Sequence, residues 1–319
     1  MQNSRSAHPP FSSILLAFSC LYIFWGATYT AGRIGVHLIP APALAGVRLL
    51  IAGLLMLGLM AARGKRLLGN AQEMRRVFFL GVLMLFTGNV GLLWAEYYLP
   101  SGLSALLVAI IPVYVAVIEW TMPHGERLRM RGQIGVVLGF LGLAILALPS
   151  ARVGLHGNWH QLIAIAVLLL GALSFACGSI WSRNSRLSLD PFVCAGWEML
   201  AASFCDLVLA TSLRQWGHAA WNRTSISVIA FLVVFGSLVG FSCYTWLLHN
   251  VPVSKVATYA YINPMVAVLL GAFVLAERLH GNEWAGMVII LVAVFLVTSS
   301  KLRPPENTEI ETVAAQPGT

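Results

Sequence analysis

Charges, rings and amides set inside apolar stretches are the side chains of this sequence that could handle a solute. Arg48 stands within the stretch from Pro40 to Ala62, and Glu198 within the one from Pro191 to Leu213. A charge in hydrocarbon costs roughly 2.5 kcal/mol or more, so such residues turn toward a cavity or a partner. The planar donors of Arg48 suit a carboxylate, which makes it a binding or gate residue; a structural pair or snorkelling is the other use of such a group. Glu198 could accept a proton during exchange, or satisfy a neighbouring helix. Glu119 and Asp206 are the other acids inside spans, while Glu96 sits near one end of its span.

Rings and amides offer a second wall. Trp25 and Tyr29 are four apart and share a helix face. Tyr259, Tyr261 and Asn263 immediately precede Pro264. Rings of this kind hold an apolar or cationic group while Thr28, Asn89, Thr258 and Asn263 orient polar ones. Trp94 and Trp246 complete the candidate lining, although interfacial Trp and Tyr belts account for such residues equally well.

Other chemistries lack their residues. The eight histidines are dispersed, no HExxH or GxSxG occurs, and His156-x3-His160 has no carboxylate beside it. Gly58 to Arg66 has the wrong spacing for a phosphate loop. Nothing in the sequence asks for a metal or another cofactor. The five cysteines all fall within spans and read as free thiols.

The elements that must position these residues follow from composition. Of 319 residues, 58% are hydrophobic and 10% charged, against roughly 25% charged in soluble domains. A hydrocarbon core of ~30 Å is crossed by about 20 apolar residues in helical form. Ten such stretches predict an all-α polytopic membrane protein: Phe11 to Gly32, Pro40 to Ala62, Val77 to Tyr97, Pro100 to Met122, Gly132 to Pro149, Gln161 to Trp181, Pro191 to Leu213, Ser225 to Leu248, Val253 to Leu275 and Asn282 to Thr298. With both termini cytoplasmic, the inner loops hold fourteen Lys and Arg and the outer loops five. The bias sets the orientation, and it explains the net charge of +8 without nucleic acid.

The chain is also duplicated. A shift of 152 positions puts Gly88 on Gly240, Trp94 on Trp246, Pro100 on Pro252 and Pro112 on Pro264; a shift of 150 puts Arg33 on Arg183 and Arg48 on Glu198. Five spans per half is an odd number, so the second half enters the membrane from the opposite side. The expected organisation is a cytoplasmic segment 1–10, a five-helix repeat 11–150, an inverted repeat 151–300 and a disordered cytoplasmic tail 301–319. Pro112 and Pro264 fall inside spans, where each removes a backbone bond and frees the carbonyl of Val108 or Ala260. They read as helix-breaking, gating positions or as static kinks. Gly135-x3-Gly139 and Gly236-x3-Gly240 suit close helix packing, within the monomer or in a homodimer.

Trp25-Gly26-Ala27-Thr28-Tyr29, the Pro40 to Ala52 segment, Leu99-Pro100-Ser101-Gly102-Leu103, Pro112 and Tyr259-x-Tyr261-Ile262-Asn263-Pro264 resemble the EamA transporters of the drug/metabolite transporter superfamily. Leu170 to Met199 and Tyr244-x-Trp246-Leu247-Leu248 are most similar to its bacterial YedA-type subgroup. The likeness covers about Leu15 to Ser300. It implies a ten-helix inner-membrane carrier in which spans 1, 3, 4, 6, 8 and 9 surround a cavity. It also implies a small-molecule substrate, amino-acid-like or related, and export as the direction. A facilitative pore and a polytopic membrane enzyme are the alternatives that the residues leave open.

Overall fold

A segment in lipid must satisfy its own backbone, so a chain this apolar folds as helices. The computed structural model describes residues 10–122, 130–155, 159–185, 187–251, 256, 259–278 and 281–300, and every regular element among them is helical. They are α1 (Phe11–Val36), α2 (Ala41–Ala62), α3 (Ala71–Tyr98), α4 (Ser101–Thr121), α5 (Met130–Leu155), α6 (Trp159–Asn184), α7 (Pro191–Ser212), α8 (residues 223–250), α9 (Tyr259–Leu275) and α10 (Gly281–Ser300). Seven of them, α1 to α4 and α6 to α8, are long and apolar enough to cross a membrane. Met130–Ile145, Ile262–Leu275 and Trp284–Val297 are shorter apolar stretches. The expected segments 1–9 and 301–319, and the Glu126-Arg127 pair, lie outside the described residues.

Local signals set the helix ends in matched pairs. Asn70 caps α3 by accepting from the Glu73 N–H at 2.8 Å while the Glu73 carboxylate accepts from the Asn70 N–H. At the position 152 residues on, Asn222 and Ser225 make the same reciprocal pair at the start of α8. Pro42 and Pro191 stand in the first turns of α2 and α7, where a missing N–H costs nothing. Both helices then end in a left-handed turn, at Gly64 with φ 69° and at Arg214 with φ 53°.

Two helices carry a π-helical interruption, again at matched places: Val82–Phe86 in α3 and Leu232–Gly240 in α8. The prolines behave differently. α4 is divided, with Ser101–Val108 and Ile111–Thr121 on either side of a turn and Pro112 in the first turn of the second piece. α9 runs as one helix through Pro264. Pro264 lies near the start of α9, where a lost backbone bond does not divide the helix; the expected break is seen at Pro112 alone.

Lipid offers no hydrophobic drive for helices to associate, so packing relies on close approach. α2 lies along α7, and a Cβ on Gly53 would meet the Gly196 carbonyl at 3.0 Å. α5 lies along α10, where a Cβ on Gly135 would meet the Ala293 carbonyl at 2.8 Å. The remaining pairings come in sets: α1 on α8 and α6 on α3, α1 on α9 and α6 on α4. Leu54, Leu55, Val137 and Phe273 point outward, toward the lipid that such a surface requires.

Candidate functional site

Where α1, α2, α3, α4 and α6 to α9 converge, they enclose a cavity of about 150 Å³. Seven of the expected residues line it: Trp25, Thr28, Tyr29, Arg48, Asn89, Tyr259 and Asn263. Trp94 and Trp246 pack among apolar neighbours instead, Trp94 beside Tyr98 and Trp246 beside Leu247. Glu198 is buried where α7 crosses α3, off the cavity wall. Thr258 lies outside the described residues, as does His156. Neither Pro112 nor Pro264 lines the space, although Val108 and Ile111, which flank the break in α4, do.

The π turns do the positioning on one side. A wide turn shifts the bonding register and leaves a carbonyl to be satisfied from outside the helix. In α8 that carbonyl is Gly236, which accepts from the Trp25 indole N–H at 3.0 Å. In α3 it is Leu83, which accepts from Thr87 Oγ1 at 2.6 Å and from Ser174 Oγ of α6 at 2.8 Å. Each interruption is thus closed by the first helix of the opposite half. A Cβ on Gly236 would lie 2.8 Å from Thr28 Cγ2 and 3.2 Å from an Arg48 terminal nitrogen. The Gly236-x3-Gly240 pair therefore seats side chains of α1 and α2, while Gly135-x3-Gly139 packs against α10 and α4. Both pairs are used within the monomer.

Three rings brace the entry from α1. The Trp25 centroid lies 5.2 Å from Tyr244 and 5.4 Å from Tyr259, and the two tyrosines are 5.9 Å apart. Such tilted and edge-on pairs fix ring orientation as well as area.

The polar groups are few and of both signs. Arg48 Nε donates to Ser237 Oγ at 3.0 Å. Glu96 is 1% exposed, and neither of its carboxylate oxygens has a hydrogen-bond partner among the described residues. Asn263, 3% exposed, presents its Oδ1 in the same condition. Leu168, Phe175, Met199 and Phe241 supply much of the remaining wall. One guanidinium, one carboxylate and two amides in an otherwise apolar pocket can orient a small solute that carries both charge and apolar surface. Among the described residues no group of His, Cys, Asp and Glu could hold a metal.

At the end of the cavity nearest Glu96, α1 is tied across the molecule. Arg33 Nε meets Glu277 Oε1 at 2.8 Å, and its Nη1 donates to the carbonyls of Glu96, at 2.6 Å, and Leu99. Glu277 in turn accepts from the Ser101 N–H at 3.0 Å and from Ser101 Oγ at 2.7 Å, capping the start of α4.

Sequence reasoning passed over Ser237, Phe175 and Phe241 and left Glu96 without a role. A signal for Ser237 existed, because a shift of 150 places it on Thr87 and both side chains sit within or beside a π turn. No such signal marked the two phenylalanines.

Residues 12–148 and, a second time, residues 162–299 match the model of the EamA-like transporter family. The chain is 33% identical over 288 residues to the uncharacterized inner membrane transporter YedA of Escherichia coli K12, covering 89% of this chain and 90% of that one. It is 27% identical over 307 residues to the uncharacterized transporter YvbV of Bacillus subtilis, covering 96% and 97%. A solved crystal structure superposes with a TM-score of 0.62 at 20% identity, over 92% of this chain and 99% of the other, a likeness of fold.

Proposed function

The chain belongs to the EamA-like transporter family, and on that premise we propose that it moves a small amino-acid-like or related solute across the inner membrane by alternating access. Its membrane placement follows from the family, the inner-membrane relative and the apolar helices. The finer organisation is our reading: ten crossings, two inverted five-helix repeats at 11–150 and 151–300, both termini in the cytoplasm, and export as the direction.

One observation carries it. The cavity lies where the two halves meet, and it gathers Arg48, Glu96, Asn89 and Asn263 among rings and aliphatic side chains. Matched caps, matched π turns and helix pairings that persist when the halves are exchanged support a pseudo-two-fold device. Rocking such halves exposes a central site to one side at a time. Arg48 offers a planar fork for a carboxylate, and Glu96 lies on the same wall.

Counterflow in proteoliposomes tests the reading, with candidate solutes taken from a metabolite-resistance and efflux screen in cells overexpressing the protein. A carrier shows saturable exchange that is stimulated from the opposite side. Ohmic flux without that stimulation assigns a pore, and covalent turnover of a solute or lipid assigns an enzyme.

A further inference from the structure

Glu96 is the group that the lining leaves unexplained. It is buried, it borders the cavity, and both of its carboxylate oxygens lack a partner among the described residues. One of them rests against the backbone of Gly32, where a Cβ would strike it. An ion in that state is costly, so a carboxyl kept there is discharged by a proton or by a visiting cation.

The charged groups around it are few. From α1 come Arg33 and Tyr29, from α2 Arg48, from α9 Tyr259 and from the segment after α9 Glu277. The faces of α4, α6 and α8 that border the same cavity present Val108, Ile111, Phe175, Ser237 and other side chains that do not titrate. Arg33 stands out among them. It already holds the backbone carbonyl of Glu96 while its charge is spent on Glu277. Two carboxylates therefore compete for one guanidinium, and only one of the two is paired.

We infer that Glu96 exchanges a proton with the cavity and that Arg33 reports the exchange to the latch at Glu277. When the O–H bond of the Glu96 carboxyl breaks, the proton leaves to cavity water and the carboxylate keeps the electron pair. Arg33 then turns to Glu96, Glu277 is left holding only the start of α4, and the face at which α1 ends is released. Proton uptake reverses each step and restores the latch seen here. The inference rests on the carrier reading above, and it gives that carrier a coupling ion and a gate.

The test reads the gate without any substrate. The full chain, with its native cysteines replaced, carries spin labels at His37→Cys and Arg278→Cys in lipid nanodiscs, and the distance between labels is measured by pulsed electron resonance. From about pH 5 to about pH 9, a window wide enough for a buried carboxyl, the distance should lengthen on the order of 5 Å, the size of a one-turn displacement. Glu96→Gln should hold the short distance throughout, and Glu277→Gln the long one. Glu96→Asp, which keeps the carboxyl, should retain the response, and unchanged melting of Glu96→Gln establishes that it folds. A pH response that survives Glu96→Gln overturns the inference, as does one abolished by Glu198→Gln in its place. A distance that never changes also overturns it, while counterflow reports separately whether the chain is a carrier.

Discussion

The indole N–H of Trp25 ends on the carbonyl oxygen of Gly236, 3.0 Å away, inside the π turn of α8. A lining residue of the cavity is therefore also the partner that closes an irregular helix. The two roles separate on substitution. Trp25→Phe keeps a ring against Tyr244 and Tyr259 but strands the carbonyl, and an unmet buried acceptor costs about 1–3 kcal/mol. Scanning fluorimetry in detergent should show a clear fall in the melting midpoint. Ser174→Ala should cost less, because Leu83 keeps its bond from Thr87.

Gly81 faces the backbone of Glu198, whose carbonyl oxygen a Cβ would strike and whose Cα would lie at 2.9 Å. Backbone cannot rotate aside, so Gly81→Ala should destabilise by about 1–3 kcal/mol. Gly58, in α2, has nothing within 4 Å of its Cβ position. Gly58→Ala should leave stability unchanged or raise it by up to about 1 kcal/mol. Melting both variants under one condition checks the contrast.

Arg48 contributes a fork as well as a charge. Arg48→Lys keeps the charge, loses the planar donors and sets aside the bond to Ser237. Exchange of the solute returned by the efflux screen should fall by about tenfold or more, equivalent to about 1.4 kcal/mol, with the protein still monodisperse. Full exchange by Arg48→Gln would remove Arg48 from substrate binding.

The divided α4 gives the prolines different weights. Pro112→Ala restores the N–H that can bond the Val108 carbonyl and should join the two pieces. Melting temperature should rise while exchange falls by about tenfold, because a bend removes up to about 3 kcal/mol of helix stability that the straightened helix regains. Pro264→Ala should change exchange less, since α9 is already continuous.

Arg214 holds φ at 53°, where its counterpart after α2 is Gly64 at 69°. A side chain in the left-handed region carries a cost of about 1–2 kcal/mol, partly offset by the freedom that glycine gains on unfolding. Arg214→Gly should therefore stabilise by about 0.5–1 kcal/mol, measured by the same melting assay.

Helix positions and most of the lining were legible from residues because lipid demands long apolar runs and because a duplicated chain marks its own equivalents. Trp25, Tyr29 and Arg48 could be placed since each stands where a helix has a polar or aromatic face. Trp94 and Glu96 could not, for a reason that lies upstream of both. The π turn at Val82–Phe86 inserts one residue into α3, and one extra residue rotates everything after it by about 100°. Regular periodicity therefore points the wrong faces of α3 inward. Pro264 shows the complementary limit, because a proline reads alike in sequence whether its helix divides or runs on.

The most extensive helix pairings, α2 with α7 and α5 with α10, run between halves and not within them. Neither half can shield its own helices. A chain severed between α5 and α6 should thus give two fragments that accumulate only when made together, each serving as the other's scaffold, so that assembly in the membrane waits for the last helices to leave the ribosome.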